Sequence, residues 1–299
     1  MSDYKDKIIT VWGSPHSGKT TFSLKLGQAL YEKTRAAVVV LFCDVTTPSL
    51  PVLFPNFKTA DLCSVGTVLS KPDIYANDVV SNLITVKESS NLGFLGYKNK
   101  ENKYSFPEYD EAKVHELFTA LSEIAEYIIV DCESIPTNSV LTEFSLKNAE
   151  IMIKLCTPDL SCIGFYQSQH SLMLTGKYYP DKILTVMNVP SADLTMLASD
   201  AAMHVGNVDI IVPYSVSVRD QYLEGRLYQK TWDRKFTQAV TVWVRSTTKA
   251  TTYLAAIQQR RNGLNEPPGM ETNTPNTCSA KCILWDRVWS TIETEAFTG

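Results

Sequence analysis

No apolar run in this sequence approaches the ~20 residues that a membrane-spanning helix needs, so no transmembrane segment is expected. A disulfide framework is missing too. The seven cysteines are odd in number, and Cys43, Cys132 and Cys156 fall inside apolar, strand-like runs, which fits a reducing compartment. The stretch before Ile8 leaves no room for a secretory leader, and the expected location is the cytoplasm. A strong charge of either sign is also lacking. The net charge of −4 over 299 residues sets up no whole-chain field for a polyanion such as DNA, although a local basic face stays open. There is no internal repeat. What remains is a chain long enough to bury a sizeable core, as one large domain or two small ones.

Apolar, β-branched runs of strand length alternate with segments of helical period. Strands are expected at Ile8–Trp12, Ala37–Phe42, Asn82–Val86, Leu92–Gly96, Tyr127–Asp131, Ile151–Cys156, Ile183–Asn188 and Val208–Pro213. Helices are expected at Lys19–Tyr31, Glu111–Ala125, Ser191–His204 and Arg234–Arg261. Strands that are apolar almost throughout require a sheet covered on both faces. The fold class is therefore α/β, a doubly wound and mostly parallel sheet. A surface loop is expected around Lys98–Tyr104, where Asn, Lys, Ser and Gly accumulate. Residues 1–261 form the expected α/β domain. Residues 262–299 read as a linker rich in turn formers, followed by a short amphipathic C-terminal extension with Leu284, Trp285, Val288, Trp289 and Ile292 at helical spacing.

The chemistry concentrates at Gly13–Thr21. Gly13-Ser14-Pro15-His16-Ser17-Gly18-Lys19-Thr20 fits G-x-x-x-x-G-K-[ST], and it stands between a buried strand and a helix start, as a phosphate loop requires. Gly13 and Gly18 permit backbone geometry that lets consecutive N–H groups, Ser17 among them, point at phosphate oxygens. The helix N-terminus adds its partial positive charge. Lys19 is expected on the β- and γ-phosphates of ATP or ADP, Thr20 on Mg²⁺ and Thr21 on the α-phosphate. Outside the strand–loop–helix context the same pattern would read as a chance glycine turn. His16 is read as facing solvent.

A phosphate loop alone hydrolyses nothing, and in open α/β sheets ligands lie at the carboxyl ends of strands. Asp44 follows the apolar run Val38–Phe42, and Asp131 ends Tyr127-Ile128-Ile129-Val130. Asp131 is the candidate metal-side carboxylate. Asp44 is a candidate for the metal or for orienting the attacking water, so Lys19 and Asp44 are the catalytic candidates. Asp also favours strand ends and turns without any such role. Glu133 reads as a solvated loop residue, with a general-base role as the alternative.

Taken in order, these features resemble the MinD/ParA family of P-loop ATPases over roughly Lys7 to Arg261. Gly13–Thr21 is similar to the family's phosphate loop, Asp44 to the aspartate after its second strand, and Asp131 to its metal-side aspartate. The run ending in Asn188 resembles the family strand whose Asn contacts adenine. The run from Val208 through Pro213 to Asp220 is similar to the stretch where the chain lies against the purine. The resemblance implies a P-loop NTPase fold, ATP and Mg²⁺, and a nucleotide switch that positions or partitions a plasmid, pilus, secretion or conjugation assembly through a protein partner.

Three departures qualify it. Ser14 stands where many members carry a second lysine that reaches across an ATP-sandwiched dimer, Phe42 replaces an aspartate, and Cys132-Glu133 replaces small or Pro-rich residues. The missing lysine resembles TadZ- and CpaE-like and conjugative-element members. It implies a weak homodimer and slow turnover, with an adaptor of little hydrolysis as one alternative. A small-molecule kinase is the other, although no arginine cluster suggests its lid. Late basic residues (Arg219, Arg226, Lys230, Arg234, Lys235, Arg245, Lys249, Arg260, Arg261) leave non-specific DNA contact open, or simply form a solvated face. Cys278 and Cys282 read as incidental thiols, and the Trp285/Trp289 stripe as packing on this protein's core or on a partner.

Overall fold

The computed structural model describes residues 4–56, 64–87, 89–173, 182–194 and 196–241. Eight strands form one sheet: β1 (Ile8–Gly13), β2 (Val38–Phe42), β3 (Ile84–Val86), β4 (Ser89–Leu95), β5 (Tyr127–Asp131), β6 (Ile151–Cys156), β7 (Lys182–Asn188) and β8 (Ile210–Val212). Their order is β3-β4-β2-β5-β1-β6-β7-β8. Every neighbouring pair is parallel except β3 with β4. The expected doubly wound, mostly parallel sheet is thus observed.

Among the described residues the α-helices include α1 (Lys19–Thr34), α2 (Leu50–Leu53), α3 (Val65–Leu69), α4 (Ala76–Val80), α5 (Glu111–Ile124), α6 (Val140–Asn148), α7 (Leu160–Met173), α8 (Ala198–Val205) and α9 (Val216–Leu223). A further helix starts at 234 and is described as far as 241. Side chains alternate along each strand, so the sheet feeds two cores. Trp12, Leu41, Val130, Cys132 and Cys156 face α3 to α8, through Val68, Phe118, Leu141 and Tyr166. Val11, Val40, Phe42, Ile129 and Leu155 face α1, α2, α9 and the 234–241 helix, through Phe22, Leu53, Val218 and Phe236. This explains the near-continuous apolar strands.

The sheet sets where a ligand can lie. β2 to β5 continue on one side of β1, and β6 to β8 on the other, so the direction of winding reverses at β1. The crevice at such a reversal is the natural ligand position in an open parallel sheet, and the chain leaves β1 there as residues 14–18.

Several boundaries differ from the sequence reading. α8 starts at Ala198, not Ser191, because the Ser191 hydroxyl accepts from the Asp193 N–H and bonds the Asp193 carboxylate, a local turn that competes with helix. β3 starts at Ile84, not Asn82, because Asn82 bonds back to α4 through Asp78 O and Val79 O. The loop at 98–104 is present. The remainder of the expected 234–261 helix, the boundary at 261, the 262–299 extension, Cys278, Cys282 and the Trp285/Trp289 stripe lie outside the described residues.

Two features of α1 bind it to the rest. Lys25 is buried, and its ammonium donates to Gln221 Oε1 (2.8 Å), Leu227 O (2.7 Å) and Gln229 O (2.7 Å). Burial pulls its pKa down to about 7, opposed by Glu32. Gly27 faces the sheet so closely that a Cβ there would stand 2.7 Å from Val40 Cγ2 and 3.3 Å from Leu92 Cδ1. We expect Gly27→Val to lower the unfolding free energy by about 1–3 kcal/mol through overpacking, as read by urea denaturation.

Candidate phosphate and metal site

The phosphate loop is built by close approach. A Cβ on Gly13 would lie 2.1 Å from the carbonyl oxygen of Leu155, so the chain leaves β1 directly over the end of β6. His16 (φ 61°) and Gly18 (φ 86°) take left-handed backbone, and His16 is exposed, as expected. Ser14 O ties the turn together. It accepts from Ser17 N (3.3 Å), Ser17 Oγ (2.8 Å) and Lys19 Nζ (3.0 Å). α1 then begins with no side chain capping its first turn, whereas Asp110, Ser139 and Ser215 cap α5, α6 and α9. Its leading N–H groups are thereby left for an anion.

Lys19 arches back over the loop. Its ammonium donates to Gly13 O (3.3 Å), Ser14 O (3.0 Å) and Ser134 Oγ (2.7 Å), all neutral oxygens. Burial lowers its pKa, and the fields of Asp131, Cys132, Asp44 and Glu133 oppose this. A desolvated cation with only neutral partners is suited to an anionic ligand.

Asp131 lies opposite Val11 in register, on the face that α1 covers. Its Oδ2 accepts from Thr20 Oγ1 (2.6 Å) and its Oδ1 from Ser23 Oγ (3.5 Å). Burial raises its pKa to about 6, against the Thr20 hydroxyl and Lys19, with Asp44 adding to the rise. Asp44 is half-buried on the rim, and its Oδ1 accepts from Thr46 N and Thr47 N (both 2.8 Å). Here, then, it caps its own turn.

Glu133 is not the solvated residue its sequence context suggested. It is 7% exposed, its N–H donates to Thr142 Oγ1 (3.0 Å), and its carboxylate accepts from Val45 N–H. Burial and then Asp44 push its pKa up to about 7. Ser14 is equally enclosed, at 2% exposed. Ser14 Oγ and Glu133 Oε1 are the buried side-chain polar atoms without a hydrogen-bond partner among the described residues.

Asn188 and Pro213 are brought together. Asn188 pairs with Val212 across β7 and β8, and Pro213 follows at once. The Asn188 amide is on the loop itself: Nδ2 donates to Ser17 O (2.8 Å). Thr21 is half-buried in the first turn of α1. Sequence reasoning passed over two contributors. Ser23 was legible, three residues beyond Thr20 on the same helical face. Ser134 was not, because only the loop path after β5 brings it to Lys19.

No family model matches the chain, and no curated protein matches it by sequence. Solved structures do match. The cell division ATPase MinD of Pyrococcus furiosus superposes with a TM-score of 0.62 at 18% identity, over 82% of this chain and 99% of that one. A ParA family ATPase from Chlorobium tepidum gives 0.66 at 13% identity, over 80% and 98%. This chain has the MinD/ParA fold. A third match with that fold, the septum site-determining protein MinD of Pyrococcus horikoshii complexed with Mg-ADP, gives 0.60 at 19% identity, over 84% and 98%.

The raised pKa of Asp131 has a measurable sign. Between its unfolded value of 3.8 and about 6 the folded chain holds the extra proton, so ionising Asp131 costs stability as pH rises through that window. We expect Asp131→Asn to be more stable than wild type at pH 7.5 without nucleotide, by about 1–3 kcal/mol. The difference should vanish near pH 4 in paired denaturation curves.

Proposed function

We propose that this chain binds ATP and ADP with Mg²⁺ through residues 13–21 and acts as a slow ATPase of the MinD/ParA type. The observation that carries the reading is the arrangement around α1. Lys19 is desolvated over the loop on neutral oxygens, and Thr20 is bonded to Asp131 one residue further on. The cradle fits a polyphosphate, with an uncapped helix start, a loop path closed to any side chain at Gly13, and one cation free of carboxylate contacts. Thr20 and Asp131 fit Mg²⁺, which ordinarily takes one or two protein oxygens and completes its shell with phosphates and water. Among the described residues no cluster of three or more His, Cys, Asp or Glu side chains could hold a metal unaided, consistent with a metal that arrives with nucleotide. Held by Thr20 and Asp131, Mg²⁺ would supply positive charge that offsets the charge of phosphoryl transfer.

The chain's own groups divide the work. Lys19 exchanges its contacts with Ser14 O and Ser134 Oγ for β- and γ-phosphate oxygens. The free N–H groups of α1 and Thr21 meet the remaining phosphates, and Asp44, on the rim, orients the attacking water. Pro213 lies against the purine. The matched proteins carry names such as cell division ATPase, septum site-determining protein and plasmid partition protein, and one is a MinC:MinD complex. They support a nucleotide switch that positions or partitions an assembly through a protein partner.

One observation favours the second reading, a nucleotide-binding adaptor with little hydrolysis. Ser14 is enclosed and carries no charge to lend to a facing protomer. Positive charge at the transferring phosphoryl is worth orders of magnitude in rate. Of the basic residues named for DNA, Arg219, Arg226, Lys230, Arg234 and Lys235 are exposed, but Arg226 contacts Glu224 and Lys230 pairs with Glu32 at 2.9 Å. These pairs dilute a phosphate-binding face, which makes a protein partner the better cargo contact.

We expect Lys19→Ala to weaken a slowly hydrolysed ATP analogue by about 2–5 kcal/mol in calorimetric titration, with the fold retained. Unchanged affinity in a folded variant would overturn the assignment. Phosphate release by the wild-type chain should run well below the ~1 s⁻¹ low end of ordinary enzymes. A rate that climbs steeply with protein concentration would mean that a facing copy supplies the charge Ser14 lacks.

A further inference from the structure

Asn188 stands at the end of β7, two strands away from β1, yet its side chain is part of the phosphate loop. The loop leaves β1 over β6, held down on the near side where Gly13 passes Leu155 O. On the far side Asn188 Nδ2 donates to Ser17 O at 2.8 Å. A second observation points the same way. A Cβ on Gly18 would lie 2.6 Å from Asn188 Nδ2, so the amide occupies the space that a side chain at position 18 would need. Gly18 is thus fixed twice, by its left-handed φ of 86° and by the amide beside it.

From this contact we infer that Asn188 is a positioning residue for the triphosphate, acting through the loop backbone rather than by reading the base. The inference rests on the nucleotide reading above. The physical route is short. Ser17 O faces away from a ligand held by N–H groups, because the carbonyl and the next N–H belong to one peptide plane. Anchoring Ser17 O therefore aims the Gly18 N–H, which belongs to that same peptide unit, at the phosphate position. Ser17 Oγ and N hold Ser14 O from the other end of the turn, so both ends are set before a ligand arrives. A cradle fixed in advance spares a ligand the ordering of the loop.

This separates Asn188 from Pro213, its neighbour across β7 and β8. If Asn188 acts through the loop, its loss weakens any polyphosphate, with or without a base. The test compares Mg²⁺ complexes of ATP, GTP and inorganic tripolyphosphate on wild type and Asn188→Ala by calorimetric titration. We expect ATP and tripolyphosphate to weaken by the same factor, about 5- to 150-fold for an unsatisfied carbonyl and a loosened loop. The ATP-to-GTP ratio should be unchanged. Amide hydrogen exchange without ligand should quicken at Ser17 and Gly18 while β1, β6 and the interior of α1 keep their protection. Asn188→Leu keeps the side-chain shape and deletes the donor, and replaces the alanine variant should that one not fold. Loss of ATP with tripolyphosphate unaffected, or a changed ATP-to-GTP ratio, would make Asn188 a base reader and overturn the inference. Affinities unchanged for all three ligands would do the same. A wild-type chain that binds none of the three would instead overturn the nucleotide reading, and this one with it.

Discussion

Between Gly13 and the carbonyl oxygen of Leu155 there is no room for a Cβ, and much of the site follows from that contact. Because the backbone itself passes over the end of β6, residues 14–18 arch across the sheet instead of turning away from it. The arch brings Ser17 O within reach of Asn188 on β7, and it returns the chain to the sheet at Gly18, where α1 starts. It also gathers three donors on Ser14 O, one of them the Lys19 ammonium. Parallel pairing of β1 with β6 and of β6 with β7 supplies the rigid floor. A loop resting on such a floor loses little entropy when a phosphate enters.

The electrostatics of the site are sparse and one-sided. One ammonium lies in the field of Asp44, Asp131 and Glu133, and it hydrogen-bonds none of them. Two of the three carboxylates are buried and are pushed up to about 6 and about 7, so near neutrality each is close to exchanging its proton. The nucleotide-free protein therefore carries strain of charge. A ligand that brings phosphates and a divalent cation together adds an anion beside Lys19 and a cation beside Asp131. Functional groups held at a cost in stability are a common property of sites that must change state.

Much of this was legible in the residues. The eight strands were readable because a doubly covered sheet demands apolar runs, and Gly13–Thr21 because phosphate geometry demands glycine at two fixed places. Asp131 was readable as the end of β5, and its carboxylate accepts from the Thr20 hydroxyl. The short helices α2 to α4 were not, since elements of four or five residues leave no period to detect. Glu133 was misread because its burial comes from Thr142 and Val45, neighbours only in space. Asn188 stands where the motif put it, at the site, but its partner there is a backbone carbonyl that no pattern of side chains announces.

Lys25 carries a consequence for how the chain is made. Its ammonium is enclosed by Gln221, Leu227 and Gln229, about two hundred residues downstream, and no acceptor nearer in sequence replaces them among its hydrogen bonds. A nascent chain that had emerged only through β6 would hold strands enough for a sheet, yet its P-loop helix would lack these three acceptors for Lys25. Lys25 gains its three acceptors only when residues 221–229 have been synthesised and returned to α1. The surroundings of the P-loop helix are thus completed by one of the last described segments to be made.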